Sequence, residues 1–161
     1  MEFAEHVKAL IGQDKYFSPG LPVCIARSPG RLDLMGGNDD YTGGLVFEST
    51  IREATFTAAQ ACAGQLIVLK NKTVSDAGWQ GDLQFEWDEL ADEETVHKIV
   101  NRSASVRWTA YVLGNLYFLK KKYPEKTKQG IRLYMESTVP LNKGVSSSAA
   151  IEVSVMKASA A

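Results

Sequence analysis

Hydrophobic positions recur at three- and four-residue spacing through Phe3, Val7, Leu10 and Ile11, which predicts a short amphipathic helix. Ser18, Pro19, Gly20 and Pro22 end it. A strand region begins at Val23 to Ala26, enters a glycine-rich turn from Gly36 to Gly44, and leaves through LVFESTIREATFTAAQA, rich in β-branched and aromatic residues. Gln65 to Lys70 reads as a further strand. After a turn at Asp76 to Gly81, Leu83, Phe85 and Trp87 alternate with polar residues as in a half-buried strand. The acidic run Asp88 to Glu94 opens a helical segment, and Ser105 to Lys122 forms a longer helix with Trp108, Val112, Leu113, Leu116, Tyr117 and Leu119 on a wide apolar face. Tyr123-Pro124 ends that helix. Ile131, Leu133 and Met135 alternate with Arg132, Tyr134 and Glu136 in a strand expected to be one-sided, which stops at Pro140. The pattern is that of an α+β fold with an antiparallel sheet, and no repeat or long linker divides it.

Composition narrows the class. The 161 residues suffice for about one domain with its own core, and 45% apolar and 23% charged residues describe a globular chain. A net charge of -1 leaves no field for a polyanionic backbone, so nucleic acid is not an expected partner. Cys24 and Cys62 form neither a metal-binding spacing nor a disulfide framework. The N-terminal segment lacks a signal peptide's basic and apolar regions, and no apolar run reaches the ~18 residues of a membrane span. A cytoplasmic, reducing compartment is the expectation, with no membrane partner.

Two segments carry candidate chemistry. Val139 to Val153, VPLNKGVSSSAAIEV, takes a strand through a Pro- and Gly-shaped loop into a serine-rich helix start. Free amides at such a start, with the positive end of the helix dipole, suit an anion such as a nucleotide phosphate. Serine hydroxyls can add hydrogen bonds or a magnesium ligand; Gly144 lets the main chain approach closely, and Ala149 and Ala150 leave the helix start unobstructed. The competing reading is that Ser146, Ser147 or Ser148 simply caps the helix. Lys143-Gly144 reverses the order of a Walker A loop, and Lys143 reads as a solvated cation.

The second segment, Ala26 to Gly44, sets Arg31, Asp33, Asp39, Asp40 and Tyr41 among glycines. A carboxylate can accept from two adjacent hydroxyls of a polyol, and an arginine can neutralise a transferring phosphoryl group. A polar hairpin with Asx turns explains the same composition. Calcium-loop spacing is not met.

Together the segments resemble the GHMP kinases, the family of galactokinase, homoserine kinase, mevalonate kinase and phosphomevalonate kinase. SPGRLDLMGGNDDYTGG, Ser28 to Gly44, is similar to the galactokinase signature, and Pro140 to Ala150 to the family's ATP loop. The resemblance implies the GHMP-kinase N-terminal domain, a two-layer α+β fold with an antiparallel-rich sheet and helices on one face. It implies ATP and Mg2+, and a γ-phosphoryl transfer to a sugar hydroxyl, in such kinases the anomeric one. Asp40 then binds vicinal sugar hydroxyls, Tyr41 lies in the pocket wall, and Arg31 is the cation near the phosphoryl group and catalytic base. Gly144, Val145, Ser146, Ser147, Ser148 and Ala149 hold the nucleotide, with Ser147 or Ser148 the magnesium ligand.

Galactokinases carry Glu-His-Thr where this chain has Gly37, Asn38 and Asp39. Gly37 in place of the glutamate resembles the L-arabinokinases, whose pentose lacks the hydroxymethyl group, so arabinose is expected over galactose, with a uronic acid also open. The family's catalytic base and acidic magnesium partner lie downstream of the ATP loop. Residues 1–161 therefore read as an N-terminal domain cut before a C-terminal one, inactive alone, and the final run AAIEVSVMKASAA as a helix of the kind that belongs between two layers, with its covering layer absent here. A non-catalytic sugar or nucleotide sensor on the same fold is the alternative.

Overall fold

The computed structural model describes residues 2–12, 16–37 and 39–161; Asn38 lies outside the described residues. The elements run α1 (Glu2–Gly12), β1 (Cys24–Met35), β2 (Phe47–Cys62), β3 (Leu66–Asn71), α2 (Lys72–Asp76), β4 (Asp82–Glu86), α3 (Glu93–Asn101), α4 (Ala110–Lys122), β5 (Gly130–Ser137) and α5 (Ser147–Ser159). Short 3-10 helices at Asp39–Thr42 and Ala104–Thr109 fill two connections. Among the described residues no helix is long and apolar enough to cross a membrane.

The five strands form one sheet in the order β1-β2-β5-β3-β4. It is mixed, not wholly antiparallel. β1–β2 and β3–β4 are antiparallel neighbours, joined by the glycine turn and by α2 with its following turn, whereas β5 arrives last and slots between them, antiparallel to β2 and parallel to β3. A parallel pair needs a long crossover, and the chain from β4 through α3 and α4 supplies it.

Alternation along β5 divides the core. Leu133 and Met135 join Ala59, Leu69, Val112, Leu116 and Val155 in the larger cluster, under α3, α4 and α5. Tyr134 points the other way, with Ala58 and Phe56, into a cluster built by Phe3, Val7 and Leu10 of α1. Helices therefore lie on both faces, where one face was expected, and β5 is buried on both sides, where a one-sided strand was expected. The reason is that α1 covers the face opposite α3, α4 and α5, so neither face of β5 is left to solvent. Phe3 stacks on Phe56 and Tyr134, with ring centroids 5.3 and 5.7 Å apart. His6 Nδ1 lies 2.6 Å from Glu136 Oε1 and fastens α1 to the same strand.

Tyr16, just past α1, directs its hydroxyl at the carbonyls of Val68 and Leu133, 3.0 and 2.9 Å away, on the parallel pair. Burial holds its phenol proton on, raising the pKa above the usual tyrosine range. α5 docks through Ala150, Val155 and Ala158 and a buried hydroxyl pair, Thr57 Oγ1 with Ser154 Oγ at 2.8 Å. Its other side is open among the described residues, with Val153 54% exposed, as expected of a helix that lacks its covering layer here.

β2 pairs with β5 only as far as Thr55, while β1 and β2 remain paired out to Met35 and Phe47. The outer halves of β1 and β2 thus form a two-stranded ribbon projecting past the sheet. A register shift between Pro29 and Arg31 marks where the ribbon begins, and Pro29 is tolerated because β1 is an edge strand.

Two substitutions test this packing. Leu133→Ala, at a site with 0% exposure, is expected to lower unfolding free energy by about 2–5 kcal/mol, measured by urea denaturation. At Gly30 a Cβ would lie 2.8 Å from the Val145 carbonyl oxygen and 2.9 Å from Ile51 Cδ1. Gly30→Val should therefore cost roughly 1–3 kcal/mol, seen as a drop of several degrees in Tm; an unchanged Tm would show that β1 and the loop before α5 are not in contact.

Candidate functional site: the junction of the glycine turn and the serine loop

The loop from Thr138 to Ser146 is pinned at both ends. Thr138 N–H donates to Ala54 O at 3.0 Å, and Ala54 N–H donates to Thr138 Oγ1 at 3.0 Å. At the far end Arg31 N–H donates to Val145 O at 3.1 Å. The two segments singled out in the sequence, far apart along the chain, are thus bonded to each other. Gly30 permits it, since any side chain there would meet the Val145 carbonyl.

Between the pins the backbone alternates hand. Asn142 (φ 57), Gly144 (φ 71) and Ser146 (φ 59) are left-handed, while Lys143 and Val145 are not. Alternation of this kind turns successive N–H groups toward one concavity, an anion-binding nest. Left-handed backbone at Asn142 and Ser146 costs about 1–3 kcal/mol each, a strain that simple helix termination does not require. Ser146 holds the N-cap position of α5 but makes no side-chain cap bond, so the capping explanation fails for it. The first helical bond runs from Ala150 N–H to Ser146 O, which leaves the amides of Ser147, Ser148 and Ala149 without intrahelical partners.

Ser147 and Ser148 open onto a cavity of about 360 Å3, within the range of about 300–1,000 Å3 typical of small-molecule sites. Trp79, Trp108 and Tyr111 supply aromatic wall, Arg107 a cation, and Leu141, Asn142 and Ile151 the side nearest the serine loop. Trp108 is fixed by donating from Nε1 to Gln80 O at 3.0 Å. The polar groups on the floor are already paired: Thr55 Oγ1 with Ser137 Oγ at 2.8 Å, and Asn71 Oδ1 accepting from Val74 N–H at 3.3 Å. Floor and walls are thus rigid and largely apolar, with free donors at the serine end.

Sequence reasoning located the serine loop but missed Trp79, Arg107, Tyr111 and Asn142. These come from separate elements, and only the spacing of Arg107, Trp108 and Tyr111 around one helix start offered a signal. Lys143 is exposed, as expected of a solvated cation.

The glycine turn is locked by its backbone. Asp39 N–H donates to Gly36 O at 2.9 Å, Gly44 N–H to Asp39 O at 2.8 Å and Gly43 N–H to Asp40 O at 3.1 Å. Gly36 (φ 104) could not be replaced, because a Cβ would lie 2.8 Å from Leu45 O. Gly37 (φ 56) is also left-handed but faces open space. Asp40 and Tyr41 point outward from this frame, Tyr41 with 85% exposure. Neither they nor Gly37 line the cavity at the serine end. Arg31 stands between the two ends, its Nη1 2.6 Å from Glu48 Oε1.

Residues 13–61 match the galactokinase galactose-binding signature, and residues 110–161 match the GHMP kinases N terminal domain. The chain is 34% identical to an L-arabinokinase of Arabidopsis thaliana over 86% of its own length and 16% of that protein's. It is 30% identical to a galactokinase of Chloroflexus aggregans over 88% of its length and 32% of the relative's. The fold superposes on Lactococcus lactis galactokinase, solved with galactose, with a TM-score of 0.73 at 24% identity, covering 96% of this chain and 36% of that one. Methanococcus jannaschii mevalonate kinase gives 0.69 at 18% identity, covering 89% and 41%. The chain thus spans between about a sixth and a third of the curated relatives it matches. With the sugar signature and the N-terminal domain in that order on one polypeptide, and joined at the Arg31–Val145 bond, the chain belongs to the GHMP kinase superfamily.

Proposed function

We propose that this chain is the nucleotide- and sugar-facing part of an ATP-dependent sugar kinase that acts on an arabinose- or galactose-like substrate. The observation that carries the proposal is the Arg31 N–H to Val145 O bond, because it makes the base of the sugar signature and the rim of the anion nest one structural unit. Catalysis of phosphoryl transfer is mostly positioning and charge neutralisation, which such a unit suits.

In this reading the adenine enters the cavity against Trp79, Trp108 and Tyr111, and the phosphates run to the nest. The amides of Gly144, Val145 and Ser146 to Ala149 receive them. Ser147 and Ser148 fit a magnesium-bearing nucleotide: their hydroxyls border the cavity, no protein acceptor holds them among the described residues, and magnesium takes hard oxygen donors. Magnesium bound there would neutralise phosphate charge.

On the sugar side, Asp40 accepts from vicinal hydroxyls with Tyr41 beside it, and the Arg31 guanidinium faces the γ-phosphoryl group. A bond forms between the sugar's anomeric oxygen and the γ-phosphorus, the β–γ bridging bond breaks, and ADP departs. The hydroxyl proton passes to a base not assigned among these residues. Gly37 presents no side chain to a hydroxymethyl substituent, and its left-handed backbone disfavours the glutamate that galactokinases carry, which supports arabinose. Free Cys24 and Cys62 suit a reducing cytoplasm.

Tryptophan fluorescence and calorimetry test the nucleotide half. MgADP is expected to quench the signal, and Trp79→Ala to weaken binding about tenfold by removing one stacking surface. No response at millimolar nucleotide would refute the reading. Equilibrium dialysis tests the sugar half: L-arabinose should be retained over galactose, and Asp40→Asn should abolish the difference, whereas selective galactose retention would reverse the Gly37 argument. The chain with MgATP and L-arabinose should release no ADP above background; steady turnover would place the catalytic base within these residues.

A further inference from the structure

Glu48 has no part in the function proposed above, yet it is the carboxylate against which the Arg31 side chain rests. β1 and β2 are in register with Asp33 opposite Glu48 and Arg31 opposite Thr50. Side chains alternate along a strand, so Arg31, Asp33 and Glu48 share one face of the ribbon. Two carboxylates directly across an antiparallel pair repel. A guanidinium beside one of them relieves that repulsion, and Arg31, two residues before Asp33, meets Glu48.

The geometry favours Glu48. Nη1 of Arg31 lies 2.6 Å from Glu48 Oε1, an ion pair off the line of an aligned hydrogen bond. Arg31 Nε is withdrawn from solvent and has no hydrogen-bond partner, and the same holds for Asp33 Oδ1. The guanidinium is therefore held from one corner with donor capacity to spare. Its backbone is fixed separately by the bond to Val145. What remains adjustable is the long side chain, and Glu48 selects its direction.

We propose that Glu48 is a positioning residue. It holds the Arg31 guanidinium by one nitrogen so that the remaining donors face the terminal phosphate of a nucleotide in the adjoining nest. The proposal rests on the function inferred above and deepens it by assigning the orientation of the phosphoryl-facing cation to a residue outside both motifs. The magnitude fits this role better than a stabilising one. The two side chains are 37% and 25% exposed, and pairs of that kind add little to folding stability. Glu48 thus restricts rotamers and leaves the fold almost as it is. A planar donor fork held at one corner keeps the bidentate geometry that phosphate oxygens prefer.

The test compares two nucleotides on one protein. MgADP and a magnesium-bound, non-hydrolysable ATP analogue are titrated by calorimetry into wild type, Glu48→Leu, Glu48→Gln and Arg31→Ala, with a thermal melt on each. ADP affinity should agree within about twofold across the set, because Arg31 addresses only the terminal phosphate. The wild-type preference for the triphosphate analogue should fall about tenfold in Glu48→Leu and in Arg31→Ala, and by a clearly smaller factor in Glu48→Gln, whose amide oxygen stands where Oε1 stood but carries no full charge. Glu48→Ala replaces Glu48→Leu should the melt show the latter unfolded.

A preference for the triphosphate that survives loss of the Glu48 acceptor overturns the proposal. So does a wild type that binds ADP without any such preference, or a Glu48→Gln protein as impaired as Glu48→Leu. Failure of wild type to bind ADP at all would instead remove the functional reading beneath it, so the two failures are told apart by the ADP arm alone.

Discussion

One backbone hydrogen bond, from Arg31 N–H to the Val145 carbonyl, organises the functional end of the molecule. β1 is the edge of the sheet, and an edge strand offers unpaired amides along its outer side. Here one of those amides is taken by the loop that leads into α5. The bond fixes the height of the nest against the sheet and sets where Arg31 emerges. It forces glycine at position 30, since a side chain there would occupy the space of the Val145 carbonyl. The second pin, Thr138 to Ala54, holds the loop's other end on β2. Between these anchors the left-handed residues at 142, 144 and 146 have little freedom to relax. Strain of this sort persists only where the surroundings over-determine it.

Local pattern revealed the elements but not their neighbours. The spacing of Phe3, Val7 and Leu10 identified α1 because an amphipathic helix declares itself within a few turns. That α1 lies on the face opposite α4 and α5 could not be read, since it depends on Tyr134, whose ring buries like an apolar residue although its hydroxyl suggests a solvent position. The place of β5 between β2 and β3 was equally hidden, because strand order is a long-range choice. α2 escaped notice for a different reason. Its five residues are too few for periodicity, and it is held by the Asn71 side chain accepting from Val74.

Legibility of the site followed the same division. Glycines and serines stand out in composition wherever the backbone itself binds, so the turn at 36–44 and the loop at 144–149 were visible. The cavity walls were not, because Trp79, Arg107 and Tyr111 converge from a turn, a 3-10 helix and α4. Glu48 was invisible for a sharper reason, as its meaning lies in a cross-strand register that no linear reading supplies. Sequence thus exposed chemistry carried by the main chain and concealed chemistry assembled from side chains on different elements.

The ribbon that carries the glycine turn beyond the sheet has a consequence of its own. Two strands without a third are only marginally stable in water, and the tip leaves Leu34, Met35, Leu45 and Phe47 largely uncovered. The nest, by contrast, is seated on a five-stranded platform. The five-stranded platform and the two-stranded arm therefore meet near Gly30, where the Arg31–Val145 bond fastens one to the other. On the function proposed above, changes at the tip would retune acceptor choice while the platform kept donor binding, which would make the two separable traits of one small architecture.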